Sequence, residues 1–257
     1  MDYARRFSGI SRLYGKQGLE SIRDSNVAVI GVGGVGSWAV EGLARSGIGN
    51  ISLYDLDHVA ESNINRQLPA LEHELGKAKV KVMAQRVGQI NSECRVEAIE
   101  EFIEAKNLQQ LIGKKFDYVI DCIDNYRTKA ALIAYCKINK LPIITVGGAG
   151  GQTDPTKICK IDLSRSEQDP LLSKTRKLLR QNYKFPANLK RRFGVPSVYS
   201  TEQQKAPADL SCLDSDKEFK SDLNCAGYGS VMTVTATFGL VAVSHVLSVL
   251  AEKSKSK

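Results

Sequence analysis

What the chain lacks narrows its class before any motif is read. None of its six cysteines (Cys94, Cys122, Cys136, Cys159, Cys212 and Cys225) forms a C-x-x-C pair. That argues against a zinc ribbon and a disulfide framework and favours a reducing compartment. The start, M-D-Y-A-R-R-F-S-G, has no apolar signal segment, so a cytoplasmic protein is expected. Residues 170–201 contain no Asp or Glu at all. Of the 257 residues 42% are hydrophobic, enough for one large domain whose core needs no staples. A net charge of +8 suits a polyanionic partner.

The chain is organised around residues 26–57. An apolar run, 27–30, enters a glycine turn at Gly31, Gly33, Gly34 and Gly36; a helical pattern follows over 35–45, and a second apolar run, 51–54, ends on Asp55. This strand–turn–helix–strand order lets backbone approach a phosphate chain at a helix N-terminus, with Asp55 placed for ribose hydroxyls. It signals a nucleotide without saying which one. After D-L-D (Asp55 to Asp57) comes E-S-N-I-N-R-Q-L, with Asn63, Arg66 and Gln67, and then a basic helical pattern over 76–87 carrying Lys77, Lys79, Lys81 and Arg86. A solvated face accounts for lysines of this kind, yet Arg66 and Lys79 lie just beyond the ribose position, within reach of a triphosphate.

Short strands are expected over 95–99 and 142–146, a buried strand over 116–125, and helices over 105–112 and 126–140. The 116–125 segment ends in Asp121, Asp124 and Asn125, at the edge where open parallel sheets bind ligands. G-G-A-G-G at 147–151 reads as a tight crossover or a second phosphate loop, and 157–162 as an edge or return strand. In the acid-free run, Lys174, Arg176, Lys177, Arg180, Lys184, Lys190, Arg191 and Arg192 alternate with Tyr183, Phe185 and Phe193. Eight positive charges interleaved with aromatics fit a nucleic-acid surface better than a solvated face. Residues 202–224 read as a polar loop. The apolar stretch 229–250 is about long enough to span a bilayer, but its Ser, Thr and His245 favour a helix buried in the core or in a subunit interface. Cys225 reads equally as a nucleophile or a small buried residue, and His245 as a packing residue.

In this order and spacing, G-V-G-G-V-G, D-L-D, S-N-I-N-R-Q, G-K-A-K and D-C-I-D-N resemble the adenylation domain of the ubiquitin-activating-like (ThiF/MoeB-type) enzymes over residues 5–150. The resemblance implies a Rossmann-like α/β fold: a mostly parallel sheet flanked by helices, with a lead-in (1–25), a nucleotide-binding core (26–150), a basic substrate-facing insertion (151–225) and a C-terminal apolar helix (226–257). It implies ATP and Mg2+. Gly31, Gly33, Gly34 and Gly36 would line the phosphates, and Asp55, with Asp57 near it, the ribose. Asn63, Arg66 and Lys79 would contact phosphate. Asp124, beside Asn125, would ligate the metal, with Asp121 the next candidate. Relatives also bring an N-terminal arginine to the triphosphate, often from the other subunit of a homodimer. Their R-Y-x-R reads R-F-S-G-I-S-R here, with Gly9 at the arginine position, so Arg12 or Arg6 must take that part.

The missing C-x-x-C pairs, the basic run and C-A-G-Y-G-S before the last helix resemble the branch that dehydrates threonylcarbamoyladenosine in tRNA. That branch uses ATP to close the side chain of adenosine 37 (tRNA numbering) into a ring, and the resemblance implies tRNA as partner; a sulfur-transfer protein is a further candidate partner. The alternative is activation of a ubiquitin-like sulfur-carrier protein. A nicotinamide dehydrogenase leaves Asn63, Arg66, Lys79 and Asp124 unexplained, so no nicotinamide cofactor is expected. A non-catalytic module would not be expected to retain every phosphate-facing charge.

Overall fold

The computed structural model describes residues 2–113, 115–205 and 228–253. Helices α1 (Tyr3–Arg6) and α2 (Ser8–Asp24) lead into β1 (Asn26–Ile30), and a regular alternation follows: α3 (Gly36–Arg45), β2 (Asn50–Tyr54), α4 (Lys79–Ile90), β3 (Arg95–Ile99), α5 (Leu108–Leu111), β4 (Tyr118–Asp121), α6 (Tyr126–Ile138) and β5 (Ile143–Val146). Then come β6 (Ile158–Asp162), α7 (Pro170–Asn182), β7 (Pro196–Ser200) and α8 (Met232–Glu252). Among the described residues, seven strands form one sheet in the order β3-β2-β1-β4-β5-β7-β6. All neighbours pair in parallel except β6, which runs antiparallel to β7. This is the Rossmann-like architecture expected.

The inner strands read as unbroken apolar runs because both their faces are covered. Val27 and Val29 enter the core shared with α3, α4 and α8, while Ala28 and Ile30 enter the core shared with α6 and α7. The strand order reverses between β1 and β4, so the loops leaving those two strands diverge and open a crevice. The glycine turn and D-C-I-D-N are those loops.

Some elements differ from expectation. The helix expected over 76–87 starts at Lys79, because Gly76 takes φ +81° and the next residues pair back, with Val59 N–H donating to Lys77 O at 2.9 Å. The helix expected over 105–112 is the short α5, and the strand expected over 116–125 is β4, which ends at Asp121 where Ile123 N–H turns back onto the Asp121 carboxylate. Part of the stretch expected as an insertion is built into the sheet as β6 and β7, with α7 packed on α6. Helix α8 is long and apolar enough to cross a membrane, but 61% of its most apolar window is buried within the protein. It approaches α3 so closely that a Cβ on Gly239 would stand 2.5 Å from Val35 O. His245 is a packing residue, its Nε2 3.0 Å from the Tyr118 hydroxyl and its Nδ1 3.0 Å from Lys160 Nζ. Cys225 and residues 206–224 lie outside the described residues.

The acid-free segment is tied down at its far end. Asp162, closing β6, accepts from the N–H groups of Phe193 (3.0 Å), Gly194 (2.7 Å) and Val195 (3.2 Å), while Phe185 and Phe193 stack edge to face.

Candidate active site

The glycine turn is dictated by close contact. Gly31 takes φ +86°, where a side chain is strained, and a Cβ there would lie 3.0 Å from Cys122 O. A Cβ on Gly36 would lie 1.8 Å from Gly31 O. Both contacts are with backbone, so these glycines let the turn pack on itself and on the loop after β4. Gly31, Gly33 and Gly34 line the crevice, while Gly36, also expected there, is not among its lining residues. Asp55 braces the turn: Val32 N–H donates to its Oδ2 at 2.6 Å and Asp57 N–H to its Oδ1 at 2.9 Å. Burial pushes its carboxyl above the usual carboxylate range, against the pull of these two donors.

The S-N-I-N-R-Q segment docks on α3. Trp38 Nε1 donates to Arg66 O at 3.1 Å, and Leu68 N–H to the Ser37 hydroxyl at 3.2 Å. Asn63 is buried and accepts from Ala60 N–H at 3.2 Å. The Arg66 guanidinium donates to Ser62 O and Asn65 Oδ1 and forms no ion pair among the described residues. Lys79, in the first turn of α4, is buried with its Nζ 2.8 Å from the exposed carboxylate of Asp57. Both residues of this pair line the same cavity.

These groups line one cavity of about 560 Å3 with Gly31, Gly33, Gly34, Asp55, Asp57, Asn63, Asp124 and Asn125, a size suited to a small-molecule ligand. Asp124 is exposed on its wall and makes no hydrogen bond or ion pair among the described residues. Asn125 is the N-cap of α6, accepting from Arg127 N–H (2.9 Å) and Thr128 N–H (3.2 Å), so its oxygen serves the helix. Asp121, the second metal candidate, is corrected. It is fully buried, with Lys129 Nζ at 2.9 Å, Thr145 Oγ1 at 2.6 Å and Ile123 N–H at 3.1 Å, and cannot face a metal in the cavity. No cluster of three or more acidic, His or Cys side chains fit for a metal occurs among the described residues. One free carboxylate does fit Mg2+, which is commonly held by one or two carboxylates plus substrate phosphates.

Arg12 is not brought to this cavity: it is exposed on α2, which packs against the end of α8 through Ser21 Oγ and Leu250 O at 2.6 Å. Of the basic run, Lys174, Lys177, Lys184, Lys190, Arg191 and Arg192 are exposed, whereas Arg176 and Arg180 are half-buried. Arg176 donates to the Ser166 hydroxyl, and the Arg180 guanidinium lies 5.0 Å from the centre of the Phe193 ring, so both have structural contacts. Helix α7 begins at the cavity, where Leu171 forms part of the wall. Among the other lining residues, Gln67 belongs to the motif after Asp55, Gly147 and Gly148 belong to the turn read as a crossover or second phosphate loop, and residues 101–104 carried no expectation. Gln67 is buried with its Oε1 unpaired, and Glu101, Phe102, Ile103 and Glu104 follow β3. Gly147 and Gly148 follow β5. Their shared signal is position: each of these two groups follows the C-terminal end of a parallel strand.

The ThiF family model matches residues 3–257 of the chain. The tRNA threonylcarbamoyladenosine dehydratase of Haemophilus influenzae is 49% identical over 253 residues, covering 98% of this chain and 95% of that protein. The Escherichia coli protein of the same name is 46% identical over 256 residues, covering 98% and 96%. Solved structures of the E. coli enzyme in complex with ATP and with AMP each superpose with a TM-score of 0.89 at 45% identity, covering 99% of this chain and 97% of theirs.

Proposed function

Because the chain belongs to the ThiF family, we propose that it is an ATP-dependent tRNA threonylcarbamoyladenosine dehydratase, acting on adenosine 37 (tRNA numbering). The observation that carries this is the junction of two surfaces: the phosphate-facing cavity, and the basic α7 segment that starts on its wall. The chain is matched along nearly its whole length by proteins named tRNA threonylcarbamoyladenosine dehydratase.

A carboxylate is a poor electrophile because its leaving group would be oxide. Attack of the side-chain carboxylate on the α-phosphate of ATP forms an acyl-adenylate and releases pyrophosphate. Arg66 and Lys79 stabilise charge gathering on the phosphates, the glycine turn supplies backbone donors, and Asp55 orients the ribose. Mg2+, held by Asp124 and phosphate oxygens, would neutralise developing phosphate charge. Attack on the acyl carbon from within the same side chain then closes the ring, loses a proton and expels AMP. Intramolecular closure of this kind reaches effective molarities of ~10⁵ M or more, given good orientation. No thiol is needed. A homodimer would bring an N-terminal arginine, Arg12 being the candidate, to the triphosphate of its partner copy. A cytoplasmic setting and a sulfur-transfer partner belong to the same proposal.

Incubated with ATP and magnesium, tRNA carrying threonylcarbamoyladenosine should lose the mass of one water at a single nucleoside, while ATP yields AMP and pyrophosphate. Amine buffers must be avoided, since an amine opens or traps the activated ring. Formation of ADP would mean an acyl phosphate and end the adenylate mechanism. AMP release only on adding a Gly-Gly-ended carrier protein, with tRNA inert, would establish the sulfur-carrier alternative.

The RNA face is tested separately. Replacing Lys190, Arg191 and Arg192 by Ala should weaken tRNA binding and flatten its logarithmic salt dependence by about one unit per lost phosphate contact. ATP affinity should stay unchanged. An unaltered salt slope would place the RNA on another face.

A further inference from the structure

Beside the nucleotide cavity lies a second one of about 530 Å3, whose polar lining includes Gln168, Ser173, Arg176, Gln203, Gln204 and Tyr228. The wall between them is thin. Gly148 lines the first cavity and donates its N–H to Asp169 Oδ2 at 2.9 Å; Asp169 lines the second. A Cβ on Gly147 would lie 1.9 Å from that same oxygen, and one on Gly148 only 3.2 Å from Gln204 Nε2. The wall is therefore bare backbone because side chains have no room. Asp169 is buried, and its other oxygen accepts from Leu172 N–H at 2.8 Å, which fastens the wall to the first turn of α7.

The lining is unusual for a gap between elements. The half-buried guanidinium of Arg176 spends one donor on the Ser166 hydroxyl and forms no ion pair among the described residues. Three glutamine amides carry paired donors and acceptors, and Tyr228 supplies an aromatic ring that closes against Gly151, where a Cβ would stand 3.2 Å from its Cδ1. Unpaired bases of RNA loops are recognised by such sets: an aromatic face to stack on, amides to read an edge and an arginine for the backbone. The paired donor and acceptor of a glutamine match the N6 and N7 edge of adenine.

We infer that the second cavity seats the adenine whose side chain is activated next door. The base would stack on Tyr228 while the side chain crosses the bare wall at Gly148 and delivers its carboxylate to the α-phosphate. Arg176 would face the phosphate of the same nucleotide. The inference rests on the dehydratase reading, because only a substrate with its base and carboxylate a short chain apart needs both cavities at once.

The test measures binding of an anticodon stem-loop RNA, binding of ATP, and AMP formation on tRNA, for Tyr228→Ala, Tyr228→Phe and Gln204→Ala. Tyr228→Ala should raise the Kd for the stem-loop and the KM for tRNA about tenfold or more, the usual effect of losing one base stack. Tyr228→Phe, which keeps the ring, should stay within about twofold of wild type; Gln204→Ala should weaken the stem-loop, and all three should bind ATP normally. Wild-type RNA affinity and KM in Tyr228→Ala, with dehydration intact, would overturn the base pocket alone. Joint loss of ATP and RNA binding would also overturn it, by making these residues supports of the nucleotide cavity. If wild-type protein binds the stem-loop in a Tyr228-dependent way yet never dehydrates tRNA, the dehydratase reading fails and an RNA base pocket stands.

Discussion

Asp124→Asn is expected to fold as the wild type does and to lose about 10²-fold or more of its rate of AMP formation. The side chain is exposed and makes no hydrogen bond or ion pair among the described residues, so its removal leaves the fold unstrained. It stands in the loop leaving β4, on the wall of the cavity that Gly31, Gly33 and Gly34 also line. An amide is a poorer ligand than a carboxylate for a hard cation, so part of the loss should return at high magnesium. The measurements are steady-state AMP release across a magnesium titration and a thermal melt of each variant. Normal turnover with an unshifted magnesium dependence would remove Asp124 from the metal site.

The largest effect on stability should come from Lys129→Met. Lys129 and Asp121 are both fully buried, 2.9 Å apart, and Thr145 Oγ1 bridges them, 3.1 Å from the ammonium and 2.6 Å from the carboxylate. Removing the lysine strands a charge in the core, which typically costs about 3–5 kcal/mol and corresponds to a melting point lower by roughly 10 °C for a chain of this size. Adding Asp121→Asn should recover much of that, because the stranded charge is gone. Denaturant unfolding of the single and double variants checks both statements. A loss below about 1 kcal/mol would mean that the pair is solvated or neutral. Because Asp121 Oδ1 also holds the N–H of Ile123 at 3.1 Å, the single variant should bind ATP more weakly as well.

The same pair shows why some of the site could be read in the sequence and some could not. Strands β1, β2, β4 and β5 were visible because burial on both faces demands an unbroken apolar run; Gly31 and Asp55 were visible because they follow strand ends, and Asn63, Arg66, Lys79 and Asp124 because their motifs resemble the family's. Lysine on a helix is ordinarily solvated, so nothing local marks Lys129 as the buried partner of Asp121. Charge counting likewise grouped Arg176 and Arg180 with their exposed neighbours, since it takes no account of the Ser166 hydroxyl or the Phe193 ring. Helix α7 and strand β7 were hidden for the same reason: positive charge dominates the segment, and its apolar residues, Leu171, Leu172, Leu179, Val195 and Val198, show their purpose only when folded. Glu101, Phe102, Ile103 and Glu104 line the cavity because they follow β3 at the same edge of the sheet, although their residue types form no motif.

The three N–H groups gathered by Asp162 have a kinetic meaning. They fix the end of the loop that displays Lys190, Arg191 and Arg192, and the Phe185–Phe193 contact ties its two arms together. The entropy of ordering that loop is therefore lost when the chain folds, not when RNA arrives. A cationic surface already in shape can convert electrostatic encounter directly into docking, so association with tRNA should run near the upper range for steered partners at low salt and slow steeply as salt is added. A loop that had to order itself on each encounter would bind more slowly and with a rate less sensitive to ionic strength.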